Sequence, residues 1–301
     1  MHLLQQLHSR PDFFVVGVCE ANSQLRDAAS HLCDQTVENV DDCVQLDWET
    51  VVICDSSFAA TQTLLAQAGR TVVLAELSAF KSDEFQQLQA VADRGDSRLG
   101  IDRPDQTDIE FAVANAAVSD GEFGALRTLH RSISSAGAVD PQRNTPVDAF
   151  VEFAFNDLAQ AWDLLIAAES SLRRMTVQAI PLPGMDGESG GGYLLLLREP
   201  NGVVIEIRRS ISSVISEDTG WQIGGTHRGF CKRSEIIRTS EDEIYELTPR
   251  KPVVPDPLES LGEPASQETL AAMTALLRCF EALQTSWKHD GTIETFESGL
   301  V

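Results

Sequence analysis

An acidic residue closes the first apolar run of the sequence. Residues Phe13–Cys19 contain no charged side chain, and Glu20 follows them directly. In a dinucleotide-binding βαβ unit, an acid at the end of the second strand hydrogen-bonds the ribose hydroxyls of the adenosine. Glu20 is therefore a candidate cofactor contact. The alternative is an acid that merely ends a strand where a loop begins.

The glycine-rich turn of such a unit does not occur upstream of Glu20. Its backbone N–H groups and the following helix N-terminus normally hold the pyrophosphate. The sequence therefore predicts a unit without its first strand and phosphate anchor. One hypothesis is that Met1 is an internal methionine and that the protein begins roughly 15–30 residues earlier. The intact mass of protein from its native source tests it.

The first hundred residues alternate apolar strands with helical patterns. Near-continuous valine, isoleucine and leucine in the strands indicates a parallel sheet covered on both faces. We expect a Rossmann-like α/β domain over residues 1–101. Its predicted strands are Val15–Cys19, Thr50–Cys54 and Thr71–Ala75, and its predicted helices are Asn22–Leu32, Ala59–Ala68 and Ser82–Asp93.

The pattern changes from about Asp102. Two apolar runs flank an Asn-Gly turn at residues 200–202, which is a strong hairpin signal. We expect an α+β domain over residues 102–301, with a large, open, mostly antiparallel sheet and a terminal helix. The predicted strands are 125–132, 176–180, 193–198, 203–210, 235–239 and 244–247, and the predicted helices are 108–119, 158–170 and 268–287.

Composition excludes several partners. The net charge is −23, from 23 basic and 46 acidic residues. Nucleic-acid binding needs a basic surface, and so does binding to anionic membranes, so neither partner is expected. No apolar stretch approaches the roughly 18 residues that span a bilayer. The six cysteines form no Cys-x-x-Cys pair, which favours reduced thiols in the cytoplasm over a metal site or disulfides.

Several short motifs together resemble the glucose–fructose oxidoreductase / inositol dehydrogenase / rhizopine-catabolism (Gfo/Idh/MocA) family. The resemblance covers essentially the whole chain, and the order and spacing of the motifs carry it. The motifs are residues 2–20, Val51–Cys54, Ala68–Arg70, Val72–Ala75, Asp120–Gly124, Gly220–Thr226 and Glu243–Tyr245.

The resemblance implies an NAD(P)-dependent oxidoreductase of sugars, cyclitols and related carbonyl compounds, but its catalytic positions are not matched. The family's Glu-Lys-Pro falls on Ala75-Glu76-Leu77, which places Glu76 at the lysine. Shifting the alignment by one residue places Leu77 there instead. In either alignment the ammonium group is absent. Lys81 is the nearest lysine, and we expect it to be a solvated residue at a helix start.

The second catalytic segment of the family, Asp-x-Gly-x-His-x-x-Asp, falls on residues 156–163. Asn156 takes the place of the first acid, Gln160 replaces the histidine, and Asp163 persists. An amide cannot act as a general acid or base near neutral pH. The strand-end Thr-Pro of the family becomes Asp55-Ser56, and an acid close to the cofactor phosphates would disfavour a dinucleotide.

Two further groups of residues stay open at this stage. His227 lies in a glycine-rich loop, where a surface polar role is expected and a ligand role is the alternative. Arg198, Arg208 and Arg209 follow or lie on predicted strands. Alternation on a half-exposed sheet predicts that they are solvated, whereas contact with a partner or an anionic ligand is the alternative.

Together these residues predict a member of the resembled family with impaired or lost hydride transfer, retained for ligand binding or for a partner. The alternative is an active NAD(P)-dependent oxidoreductase whose start omits the glycine loop. The expected cofactor contacts are Glu20, Asp55, Ser56 and Glu76, and no metal site is expected. The resemblance further implies NAD or NADP, a sugar- or cyclitol-like ligand and a homodimer.

Overall fold

The computed structural model describes residues 2–54, 57–102, 109–121, 123–136, 146–169, 174–182, 191–199, 202–212, 217–231, 236–239, 244–246 and 264–298. Contacts divide the chain into two compact units. Unit 1 holds Met1–Arg103 and Asp256–Leu270, and unit 2 holds Pro104–Pro255 and Ala271–Val301. Nothing in the sequence pattern anticipates the return of Asp256–Leu270 to unit 1.

Unit 1 alternates short strands with helices. Polar residues begin three of the helices: the side chains of Asn22, Asn39 and Ser57 each accept a hydrogen bond from a backbone N–H of the first turn. In chain order the elements are α1 (His2–His8), β1 (Gly17–Cys19), α2 (Ser23–Ala29), β2 (Gln35–Val37), α3 (Val40–Val44), β3 (Thr50–Ile53), α4 (Phe58–Leu65), β4 (Thr71–Leu74), a 3-10 turn (Leu77–Ala79), α5 (Ser82–Gly95) and β5 (Arg98–Ile101).

The strands of unit 1 form two separate parallel sheets. β1 pairs with β2, while β4 pairs on one side with β3 and on the other with β5. A doubly wound dinucleotide fold has the strand order 3-2-1-4-5-6. Removing strand 1 leaves 3-2 and 4-5-6, which are the two orders seen here. The prediction of a Rossmann-like parallel part is thus confirmed, and among the described residues no strand pairs with both β1 and β3.

The core of unit 1 is centred on β4. All four of its residues are at most 1% exposed, because sheet neighbours flank the strand on both sides. Leu3, Leu7 and Phe13 pack against Val73 of this strand together with Val52 of β3. The amphipathic pattern of α1 therefore covers a face of the three-stranded sheet.

Unit 2 is built on one sheet of nine strands. Its elements are α6 (Ile109–Ser119), β6 (Leu126–Ala136), α7 (Pro146–Ala167), β7 (Arg174–Leu182), β8 (Gly192–Arg198), β9 (Val204–Ser212), β10 (Glu217–Gly225), β11 (Arg228–Cys231), β12 (Ile236–Thr239), β13 (Ile244–Glu246), α8 (Gln267–Lys288), whose first residues belong to unit 1, and β14 (Glu294–Glu297). The strand order is β13-β12-β11-β10-β6-β9-β8-β7-β14.

The pairings in this sheet are antiparallel except between β6 and β9, which run parallel. The prediction of a mostly antiparallel sheet is therefore confirmed. The predicted hairpin joins β8 to β9, with Arg198 opposite Val204. Helix α7 begins twelve residues before its predicted start of 158, so the segment carrying the predicted catalytic positions lies in the second half of a long helix.

Helices α7 and α8 supply the aromatic part of the core of unit 2. Phe150 of α7 stacks on Trp287 of α8 with ring centroids 4.4 Å apart, and its edge meets Tyr193 of β8. Tyr193, Leu195 and Leu197 are buried on one face of β8, whereas Leu194 and Leu196 on the other face are half-buried. Within the part of the chain that the structure describes, no helix is long and apolar enough to cross a bilayer.

Candidate functional site

Glu20 lies at the carboxyl end of β1, the end at which parallel α/β sheets bind ligands. Its Oε1 accepts a hydrogen bond from the backbone N–H of Asn22 at 2.8 Å, and its backbone carbonyl accepts one from Arg26 Nη1 at 2.7 Å. Arg26 also lies 3.7 Å from the Glu38 carboxylate. Glu20 is half-buried, so its position is fixed by local bonds while part of the carboxylate still reaches solvent.

Glu76 follows the carboxyl end of β4 after a single alanine. It is exposed, and its backbone carbonyl accepts a hydrogen bond from Ala79 N–H at 3.3 Å, which starts the 3-10 turn. The other two predicted cofactor contacts, Asp55 and Ser56, lie outside the described residues. Glu20 and Glu76 thus both stand where a ligand would meet their strands, but as carboxylates they repel phosphate groups.

Lys81 is the lysine nearest to the expected position of the family's ammonium group. It is exposed at the residue before α5, and its backbone N–H donates to Glu84 Oε2 at 2.9 Å. This is the solvated helix-start position expected from the sequence. His227 is also exposed, with its backbone N–H bonded to Phe123 O at 3.1 Å. A Cβ built on Gly124 would lie 2.7 Å from His227 Nδ1, so the imidazole covers that glycine.

The predicted catalytic segment on α7 faces in two directions. Asn156 is exposed, while Gln160 and Asp163 are each 8% exposed. The Oε1 atom of Gln160 accepts hydrogen bonds from Arg131 Nη1 and, at 3.2 Å, from Trp221 Nε1. The Arg131 guanidinium also lies 5.6 Å from the centroid of the Trp221 ring. Gln160 therefore belongs to a buried polar cluster with Arg131 of β6 and Trp221 of β10.

A second buried cluster lies one helical turn before Gln160. The Asp157 carboxylate, 4% exposed, receives two hydrogen bonds of 2.8 Å from Arg209, one from Nε and one from Nη2. The Tyr193 hydroxyl donates to the same carboxylate. The Arg209 guanidinium lies 4.5 Å from the ring centroid of Phe153, one helical turn before Asp157.

The ionisation of this cluster is fixed by its surroundings. Burial, and next the charge of Asp157, raise the pKa of the Tyr193 hydroxyl well above its ordinary value. Burial alone would lower the pKa of Arg209, but the hydrogen bond and charge of Asp157 outweigh it and raise that pKa. Around neutral pH the Tyr193 hydroxyl is therefore protonated and the Arg209 guanidinium is charged, and neither is poised to exchange a proton.

The prediction that the three arginines are solvated is wrong for Arg209. Arg208 is exposed, but Arg209 turns to the face that carries Ile205 and Ile207 and meets Asp157. The period of two along β9 already places these three residues on one face. Asp157 was missed as well. Its spacing of three from Gln160 was the available signal, because residues i and i+3 share a helix face.

The described residues contain no group of three or more histidine, cysteine, aspartate or glutamate side chains that could hold a metal ion. The polar groups on the buried face of α7 are the Gln160 amide, the Asp157 carboxylate paired with Arg209, and the Asp163 carboxylate. Such groups can orient neighbouring side chains or hold a polar ligand.

Comparison with solved structures shows which known proteins share this fold. An oxidoreductase from Agrobacterium radiobacter, solved in complex with NAD+, L-tartaric acid and magnesium, is 12% identical; the match covers 99% of this chain and 95% of that one with a TM-score of 0.71. An NAD-binding protein from Listeria innocua is 17% identical over 98% and 93% of the two chains, with a TM-score of 0.72. The fold is the one these proteins share.

A third match is the WlbA dehydrogenase from Bordetella pertussis, solved in complex with NADH and UDP-GlcNAcA. It is 16% identical over 100% of this chain and 95% of that one, with a TM-score of 0.70. No protein-family model matches the sequence, and no curated protein matches it. At these identities the likeness establishes the fold, and function has to be argued from the residues.

Proposed function

We propose that the protein binds a nicotinamide dinucleotide and a small hydroxylated ligand of the sugar or cyclitol type, and that its hydride transfer is impaired or lost. The complexes of similarly folded proteins with NAD+ or NADH support the cofactor. The position of Glu20 at the carboxyl end of β1 supports it as well, because an acid there can accept hydrogen bonds from ribose hydroxyls.

The main support for impaired or lost hydride transfer is the environment of Gln160. Its amide stands where the resemblance implies a histidine, and its oxygen already accepts hydrogen bonds from Arg131 and Trp221. The nearby carboxylate, Asp157, is bound to Arg209. Oxidation of an alcohol by hydride transfer requires a group that removes the hydroxyl proton. An amide cannot do so, and the Asp157 carboxylate already accepts hydrogen bonds from Arg209 and Tyr193.

The cofactor part is tested by titrating NADH into the purified chain and following its fluorescence. We expect saturable binding of NADH. Its affinity should fall about tenfold in Glu20→Ala, because that variant loses roughly one charge-assisted hydrogen bond. NADPH should bind more weakly than NADH, because Glu20 repels a 2′-phosphate. Asp93→Ala, an equal loss of charge on the exposed side of α5, is the matched control and should leave the affinity unchanged. Absence of binding by the folded chain would contradict the proposal.

The catalytic part is tested by restoring the missing groups. We expect Glu76→Lys combined with Gln160→His to raise dehydrogenase turnover of a polyol panel, with bound NAD, above that of the parent chain. Glu76→Gln with Gln160→Asn is the control, since it changes the same positions without adding a base or an ammonium. Substantial turnover by the unmodified chain would instead establish the alternative, an active oxidoreductase.

We also propose a homodimer formed through the outer face of the unit 2 sheet. On this face Leu194 and Leu196 are half-buried, and Val204 is 41% exposed. These side chains would bury apolar area against a second copy. Light scattering should give twice the chain mass, and Leu196→Asp should halve it. Leu25→Asp, at an exposed leucine of α2, is the control. A monomeric parent chain would rule out this assembly.

A further inference from the structure

The outer face of the unit 2 sheet carries opposite charges beside its apolar side chains. We propose that two copies of the chain stack this face about a two-fold axis across strands β8 and β9, so that Glu206 of each copy pairs with Arg208 of the other. This inference rests on the homodimer proposed above. It adds the symmetry axis of that dimer and the residues that select a second copy as the partner.

Strand β9 divides its side chains between the two faces of the sheet. Ile205 and Ile207 are fully buried, so the period of two along a strand places Glu206 and Arg208 on the outer face. Arg208 is exposed there, and Glu206 is half-buried with its Oε1 3.6 Å from Nδ1 of His130 on the neighbouring strand β6. Both charged side chains therefore lie on the face that a second copy would cover.

The strand register arranges the outer side chains in rows that cross the sheet. In one row Leu196 of β8 lies beside Glu206 of β9, and in the next row Leu194 lies beside Arg208. The two rows are two residues apart along each strand, which is about 7 Å. Each row therefore joins a leucine to a charged side chain, and the charges of the two rows are opposite.

This arrangement is self-complementary about one axis. A two-fold axis that crosses the strands midway between the two rows exchanges them, so Leu196 meets Leu194 of the other copy, Glu206 meets Arg208, and each contact occurs twice. Stacked sheets lie about 10 Å apart, which a glutamate and an arginine span together. An axis centred on either row would instead set Glu206 or Arg208 against its own copy, and like charges at such contacts are unfavourable.

An axis along β8 is the alternative that also avoids contacts between like charges. It stacks β9 of one copy on β7 of the other, so Arg208 would meet Ile180 and Glu206 would meet Gln178. Arg208 would then be covered without an acid beside it, and covering an unpaired charge is costly. The axis across the strands is favoured because it gives each of the two charges a partner of opposite sign.

The charge of this face also argues for a second copy as its partner. The chain has a net charge of −23, so two copies repel each other wherever acids dominate their surfaces. Acids are scarce on the outer face of the described strands β7, β8 and β9, where the charged side chains are Arg174, Arg198, Arg208 and Glu206. Two copies can therefore bring these faces together without setting acid against acid.

The test exchanges the two charges and follows the mass of the assembly by light scattering. Arg208→Glu sets acid against acid at both contacts, and Glu206→Arg sets base against base. Each variant alone should raise the dissociation constant of the dimer at least about a hundredfold. An equimolar mixture of the two variants should recover twice the chain mass, because every contact then joins an acid to a base. The chain that carries both exchanges should dimerise like the parent.

Controls on helix α5 of unit 1 separate these contacts from a general effect of charge. Arg94→Glu and Asp93→Arg make the same charge changes at exposed positions and should leave the parent mass unchanged. A monomeric parent chain would rule out the homodimer and this inference with it. A dimeric parent whose mass survives both single exchanges would overturn the inference alone. So would dissociation that neither the mixture nor the double exchange reverses, although each variant still unfolds cooperatively.

Discussion

The two units of this protein differ in how completely their strands are joined. In unit 2 nine strands form one sheet, and hairpin-type neighbours such as β7, β8 and β9 follow one another in space as they do in the chain. In unit 1 five parallel strands fall into sheets of two and three. Antiparallel strands recruit their neighbours locally through short turns. A parallel sheet relies on crossovers instead, and among the described residues no strand joins β1 to β3.

Burial follows the same division. The inward residues of β8 and β9 in unit 2, such as Leu195 and Ile207, are fully buried, as are all residues of β4 in unit 1. By contrast, β3 and β1 keep valines half-exposed. β4 has a strand on each side, whereas β1 and β3 each have one strand partner among the described residues. The predicted effects below are ordered from the largest to the smallest.

Removing one partner of the buried ion pair in unit 2 should have the largest effect. Asp157→Ala leaves Arg209 charged and buried without its carboxylate, so we expect the free energy of unfolding to fall by about 3–5 kcal/mol. Urea denaturation in a Trp48→Phe background measures it, because the remaining tryptophans lie in unit 2. The matched control is Glu206→Ala, a half-buried acid on the outer face, which should cost less than about 1 kcal/mol. Equal losses would mean that the pair contributes no more than a surface charge.

The contrast within unit 1 can be tested with two valines. Val73→Ala in β4 removes two buried methyl groups and should cost about 2 kcal/mol, whereas Val51→Ala in the half-buried β3 should cost less than about 1 kcal/mol. Amide hydrogen exchange of the unit 1 strands measures both costs. If both substitutions cost the same, β3 is packed more tightly than the burial of Val51 indicates.

Alkaline pH should weaken unit 2. Burial raises the pKa of the Cys279 thiol above its ordinary value of 9.0, and burial and the charge of Asp157 raise that of Tyr193 above 10.0. Both groups stay protonated in the folded chain while the unfolded chain ionises. The stability they contribute is therefore fully present below pH 9.0 and is lost progressively as the pH rises above 9.0 and 10.0. Urea midpoints in Tyr193→Phe should fall less steeply with pH than in the parent chain. An unchanged slope would contradict this assignment.

The smallest effect concerns an exposed pair that precedes β1. The hydrogen bonds from Arg10, partly opposed by desolvation, hold the pKa of Asp12 near 2. Titration followed by NMR should give that midpoint, and Arg10→Gln should move it back towards 3.8, the ordinary value. Because the pair is exposed, the unfolding midpoint near neutral pH should not change in Arg10→Gln. A large change would show that this turn helps to position β1.

Much of this architecture could be predicted from the sequence. The valine-rich runs at β3 and β4 predicted the parallel part, and the Asn-Gly turn predicted the β8–β9 hairpin, because strand period and turn chemistry are local properties. The absence of a glycine-rich turn before Glu20 also predicted that the first strand of the unit would be missing. The start of α7 was placed too late, because its first turns include exposed valines that mask the amphipathic pattern.

The candidate site was less predictable. The sequence identified Glu20, Glu76, Asn156, Gln160 and Asp163 as positions of interest, but it gave no partner for any of them. Asp157, Tyr193 and Arg209 are separated by more than fifty residues in all, and they meet because α7 lies across β8 and β9. Side chains that far apart in the chain carry no shared local signal.

The sequence by itself determined that a parallel α/β part precedes a mostly antiparallel sheet, and that no histidine or lysine stands at the expected catalytic positions, since these depend on residue identity and local periodicity. Only the tertiary structure decided that Gln160 is bound by Arg131 and Trp221 and that Arg209 points inward to Asp157. These outcomes depend on which strand becomes the neighbour of which, and long-range pairing sets that choice.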